Sequence, residues 1–274
     1  MRIRLLAGAA AGLSLALVVA LPAGAATPGN ASLSVLHGVP DLMVDVYVNG
    51  TLTLDNFAPG DVAGPLDLAP GTYTVAITAA DAADASAPAI GPVDLPLEAD
   101  KNYTAVAHLD AAGAPTATLF TNDISTTAPG EGRLTVRHVA AAPAVDVLAG
   151  GTAVISGLVN PKEQILNLPP ATVSAPVAAA GTTTPVIGPA DVNVAEGVNT
   201  IVYAWGSLEA NNLKLAVQTI SGLHNAPAGV PSGELGLASD SSSSAPWLIG
   251  ASLLVAAGGA LLLTRRTPAR VSRD

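Results

Sequence analysis

The sequence predicts an all-β ectodomain of two tandem antiparallel sandwiches, set between an N-terminal signal peptide and one C-terminal transmembrane helix. Three observations carry this. The phrase "LSVLHGVPDLMVDV" at 33–46 returns as "LTVRHVAAAPAVDV" at 134–147. Within each copy, short runs of alternating apolar and polar residues are divided by turns rich in Gly, Pro and Asn. Towards both ends of the chain the alternation gives way to long apolar runs.

The first of these runs has the three parts of a secretory signal, residues 1–25. Arg2 and Arg4 form a positive start, an apolar stretch runs from Leu5 to Leu21, and "AGA" at 23–25 supplies small residues for cleavage before Ala26.

The first sandwich is expected over 28–127, with strands at "SLSVLH", "MVDVYVN", "TLTL", "GPLDL", "TYTVAIT", "GPVDLPL", "NYTAVAHL" and "ATLF". Each side chain on such a strand points opposite to its neighbour, so the alternation marks one face for a core and one for solvent. Asn49-Gly50 is a strong hairpin signal, and "APGT" at 69–72 fits a tight turn. "STTAPGEG" at 125–132 reads as a short hinge. The second sandwich is expected over 130–222. "VDVLAGGT" at 145–152 matches "VDVYVNGT" at 44–51, and "TPVIGPADVNVAEGVNTIVYA" at 184–204 matches "APAIGPVDLPLEADKNYTAVA" at 87–107. The offset between copies drifts from 101 to 97, so insertions fall between matched blocks, where loops tolerate them. Many short strands without helical periodicity point to the immunoglobulin-like class of sandwich, although the Cys and Trp signature of that class is missing.

Residues 223–246 lack periodicity and are rich in Gly, Pro and Ser, as expected of a flexible stalk. "WLIGASLLVAAGGALLL" at 247–263 follows, and its apolar residues would span about 26 Å as a helix. Arg265, Arg266, Arg270 and Arg273 in the tail, 264–274, place that end in the cytoplasm and the bulk of the chain outside. The chain has no cysteine, so neither disulfides nor lipidation enter, and the ectodomain depends on its apolar core.

Residues 26–246 carry 20 acidic side chains against five basic ones, a net charge of −15. Such a field repels nucleic acid and attracts cations or basic partners, so nucleic-acid binding is set aside. There is no G-x-S-x-G elbow and no H-E-x-x-H, and nothing in the spacing assembles a nucleophile, base or metal cluster. A non-enzyme without cofactor is expected.

The paired phrases "HGVPDLMVDVYVNG" and "HVAAAPAVDVLAGG", each followed by a block like "LDLAPGTYT", resemble tandem copies of the domain of unknown function numbered 4397. The resemblance runs over about residues 31–222 and implies an exported, surface-anchored bacterial protein; the family carries no known activity. The second copy departs from the pattern at Ala141 and Ala142, which stand where the first has Pro40 and Asp41.

The repeated polar residues are His37, Asp45, His138 and Asp146. By alternation His37 and His138 end their strands pointing inward at the rim, while Asp45 and Asp146 point outward. On that reading His and Asp do not meet, and a rim histidine donating to a loop carbonyl accounts for the pair; a metal or ligand role is the alternative. "DAADAS" at 81–86 lacks the order of a calcium loop and suits an exposed turn. Trp205 reads as core, and Tyr47 as the one outward aromatic able to form a sugar platform. The expected function is therefore structural or adhesive contact at the cell surface with an extracellular protein. Binding of cell-wall glycan or a divalent cation is the alternative, and the identity of any small ligand stays open.

Overall fold

The computed structural model describes residues 29–224. The predicted signal peptide, the stalk beyond His224, the membrane span and the basic tail lie outside these residues. Every regular element among the described residues is a strand. In the first repeat these are β1 (Ala31–Gly38), β2 (Val44–Val48), β3 (Thr51–Phe57), β4 (Val62–Leu68), β5 (Gly71–Ala79), β6 (Ile90–Leu97), β7 (Asn102–Leu109) and β8 (Pro115–Asn122). Asn49 and Gly50 both take positive φ, 50° and 78°, as a two-residue hairpin between β2 and β3 requires.

The second repeat holds β9 (Gly132–Ala141), β10 (Val145–Ala149), β11 (Thr152–Leu158), β12 (Lys162–Leu168), β13 (Ala171–Ser174), β14 (Val177–Ala179), β15 (Pro185–Ile187), β16 (Asp191–Val194), β17 (Asn199–Ser207) and β18 (Lys214–Ile220). Its strand order repeats the first. Sheet β4-β1-β7-β8 corresponds to β12-β9-β17-β18, and β3-β2-β5-β6 to β11-β10-β14-β15. One difference has a local cause. Pro176 stands where the first repeat has Ala76, and without an N–H it cannot continue the ladder. The equivalents of β5 and β6 are thereby split, and their other halves pair separately as β13-β16.

The expectation of purely antiparallel sheets is corrected at the centre of each repeat. β1 runs parallel to β7, and β9 parallel to β17. Parallel neighbours need a long crossover, here the whole of the other sheet, so short-range alternation could not reveal the pairing.

Each repeat packs its two sheets face to face. Val35 and Leu109 meet Val44, Phe57 and Ile77 in the first; Leu134 and Val202 meet Val145, Ile155 and Val177 in the second. A third core lies between the repeats. Leu36, Val106 and Phe120 of the first close on Val139, Ile201, Tyr203, Trp205 and Ala216 of the second. The sheets therefore stack four deep, with β1, β7, β9 and β17 buried on both faces.

The stretch 125–132, expected to hinge, is tied down instead. Thr127 N–H donates to Leu223 O at 2.7 Å, and the Arg133 guanidinium donates to the carbonyls of Asp123 and Ser125 at 3.0 Å each. Arg133 also pairs with the Asp123 carboxylate at 3.1 Å. The described residues of both repeats fall in one compact unit.

Candidate functional site

His37 closes β1 at the mouth of its sandwich and is 1% exposed. Its Nε2 lies 2.6 Å from Leu42 O in the loop that follows. A carbonyl only accepts, so Nε2 carries the proton and donates. His138 repeats the arrangement, with Nε2 donating to Pro143 O at 3.0 Å. Its Nδ1 accepts the Ala140 N–H at 3.4 Å, whereas His37 Nδ1 has no partner among the described residues. Both rings fasten the end of a central strand to the loop that crosses to the outer sheet.

The aspartates do different work. Asp45 and Asp146 sit on the outward side of β2 and β10, yet they are only 4% and 7% exposed. The expected outward direction thus leads under a bulge rather than to open solvent. The β2–β3 register slips between Val44 and Val46, and the β10–β11 register slips between Val145 and Val147. A bulge leaves one N–H without its ladder partner. The two aspartates supply the missing acceptors: Asp45 Oδ1 takes the Asn56 N–H at 2.8 Å, and Asp146 Oδ1 takes the Gly157 N–H at 2.7 Å. Asn56 and Gly157 both have positive φ, 53° and 66°, which identifies them as the kinked bulge residues. Asp146 Oδ2 also accepts from Gly181 N–H at 2.8 Å. The N–H groups of Gly181 and Gly157 hold its carboxyl below the usual range.

In each repeat, then, the histidine ties a loop to the inner sheet and the aspartate caps a bulge in the outer one. No hydrogen bond joins them among the described residues. Residues 31–148 match the Domain of unknown function (DUF4397). The match takes in both histidines and both aspartates and ends within β10. No curated protein matches the chain. Beyond the DUF4397 segment, the likeness of the second repeat to the first rests on its strand order and on Gly157, which donates to Asp146 as Asn56 does to Asp45.

A buried polar network on the DUF4397 segment was not among the expected site residues. Arg137, beside His138 on β9, points to the opposite face and is 1% exposed between the repeats. Its Nε donates to Glu163 Oε2 at 2.7 Å, Nη1 to Tyr203 Oη at 2.9 Å and Nη2 to Asn122 Oδ1 at 2.8 Å. The guanidinium carbon sits 4.3 Å from the centre of the Phe120 ring. Tyr203 passes the network on, donating to Gln218 Oε1 at 2.6 Å, and Thr104 of the first repeat donates to the same oxygen at 3.1 Å. Burial raises the Tyr203 pKa, so its hydroxyl keeps its proton. Arg137 stands where the first repeat has Leu36, so the network belongs to the interface and not to the repeated motif. An arginine in mid-strand, between Val136 and His138, was the available signal.

Asp41, which the second repeat lacks, also reaches across: Asn212 Nδ2 donates to its carboxylate at 3.2 Å. Trp205 is core, 3% exposed, but it fills the space between repeats rather than the interior of its own sandwich. Tyr47 is half-buried, and Leu148 in the equivalent place is buried. In the acidic loop, Asp84 Oδ1 accepts the Ser86 N–H at 2.9 Å, the local turn that Asp favours.

The buried imidazoles fix a pH dependence. Burial lowers the pKa of His37, His108 and His138 below 6.5. Between those lowered values and 6.5 the unfolded chain binds more protons than the folded one, so stability rises with pH. This contribution is complete above the unfolded pKa and is lost as pH falls through it towards the folded values. The thermal midpoint of the chain is expected to fall from pH 7.5 to pH 5, before the loss from Asp146, which begins only near pH 4. A flat or rising midpoint over that range would contradict the neutral, buried histidines.

Proposed function

We propose that the chain is a non-catalytic, membrane-anchored cell-surface protein whose two immunoglobulin-like sandwiches make structural or adhesive contact outside the cell. The observation that carries this reading is the employment of its polar side chains. His37, His138, Asp45, Asp146 and Arg137 are spent on holding loops, bulges and the two repeats together. A rigid block of stacked sheets suits a spacer or contact surface, and the net charge of −15 over residues 26–246 suits a basic partner. Export by residues 1–25 and anchoring by 247–263 complete the reading, with a cell-surface or extracellular protein as partner.

The test is topological. Cells producing the full chain are washed with alkaline carbonate, and intact cells are then treated with protease. The chain is expected to stay in the membrane fraction through the wash, and the protease to release a fragment close to residues 29–224. Release by the wash, or a chain shielded from protease until the cells are broken, would overturn the proposal.

A further inference from the structure

We propose that the gap between the two sheets of the first repeat is a binding site for a small, uncharged, apolar molecule. A cavity of about 190 Å³ lies there, walled almost entirely by aliphatic side chains. Val46 and Ile77 of the outer sheet form one side, and Ala105 and Ala117 of the inner sheet the other. Leu54 on β3 and Leu66 on β4 also line it and are only half-buried. β3 and β4 are edge strands of different sheets with no ladder between them, so the interior reaches the surface along this seam.

The inner wall of the cavity is formed by unusually small side chains. Ala105 lies beside Val35 on β1, and Val202 lies beside Val136, the equivalent residue on β9. Ala117 pairs with Ala107 opposite His37, and Leu215 pairs with Ala204 opposite His138. The second repeat thus carries Val and Leu where the first carries two alanines. The outer sheet varies the other way: Val48, Val75, Ile77, Val93 and Leu95 stand where the second repeat has Ala149, Ala175, Val177, Ala190 and Val192. Filling either alanine position with the side chain of the second repeat would take up part of this space.

The wall also restricts what can enter. Two lining residues bear hydroxyls, and both hydroxyls are engaged. Thr118 Oγ1 bonds His108 Nε2 at 2.9 Å, and Thr53 Oγ1 donates to Thr51 O at 3.1 Å. A charged or strongly polar group would lose its hydration there without replacement. The net charge of −15 on residues 26–246 further disfavours an anion. An apolar cavity of about 150 Å³ stays dry and takes up a molecule the size of benzene, so this one is large enough for such a guest.

Toluene is the probe. The thermal midpoint of the full chain is measured with and without it, for the natural sequence and for Ala117→Leu, which installs the side chain of the second repeat. At tenfold its dissociation constant toluene is expected to raise the natural chain's midpoint by about 3–6 °C. It is expected to leave Ala117→Leu unmoved. Ala105→Val, a smaller filling of the same space, is read in the same way and serves alone if Ala117→Leu does not fold. No rise for the natural chain, or an equal rise in a folded filled variant, would overturn the proposal. Anything the apolar 247–263 segment takes up is common to all the chains and cancels.

Discussion

Replacing Arg137 by alanine is expected to lower the stability of the chain by about 3–5 kcal/mol, the range for breaking a buried charged network by removing one partner. The change leaves Asn122 Oδ1 and the Tyr203 hydroxyl without a charged donor inside the inter-repeat core, and it removes the group stacked on Phe120. The Glu163 carboxylate loses its partner too, but it is 28% exposed and can turn to water, so it accounts for the smaller share. Arg137→Met separates the contributions. Its side chain keeps the packing on Phe120 while giving up the hydrogen bonds, so its loss should fall clearly below that of alanine. Denaturant midpoints of the three chains check this. A cost below about 0.5 kcal/mol for Arg137→Ala would place the residue at an ordinary surface.

Trp205→Ala is the second large effect, at about 3–5 kcal/mol for a buried tryptophan truncated to a methyl group. The ring lies flush against the first repeat. A Cβ built on Gly60 would come within 2.9 Å of Trp205 Cζ2, and Gly60 itself has φ +91°. Neither partner leaves room for adjustment, so the space opened by the truncation persists as a cavity at the interface. Trp205→Phe should cost much less, because Trp205 Nε1 has no hydrogen-bond partner among the described residues and its loss removes nothing satisfied. Equal losses for alanine and phenylalanine would mean that the indole N–H, and not the packing, matters there.

These two residues also show which parts of the molecule could be read from sequence. Strand positions, the Asn49-Gly50 hairpin and the two-copy organisation followed from alternation and repetition, which are local signals. The histidines were placed inward by the same rule, and the structure supplies a loop carbonyl for each. Alternation could not show that β1 and β7 are parallel, because their partnership spans the whole repeat. Nor could it show the role of the aspartates. A register slip depends on an extra residue in a neighbouring strand, and only the ladder reveals that Asn56 and Gly157 are left over. The contact between repeats left a trace that alternation alone misreads. "IVYAWG" at 201–206 is apolar without a break, the pattern of a strand buried on both faces, and its second face had no sheet assigned to it. Arg137 marked the same face from the neighbouring strand. A charge in such a strand makes sense only when the facing sheet brings Asn122, and the neighbouring strand Tyr203, to meet it.

The central claim is that the two repeats form one cooperative body, with their shared polar residues spent on the fold. Scanning calorimetry of the full chain in mild detergent tests it most directly. One transition is expected, with calorimetric and van't Hoff enthalpies equal, and Arg137→Ala should move all of it. Two separable transitions, only one of them shifted by Arg137→Ala, would show that the repeats fold independently and would contradict the account.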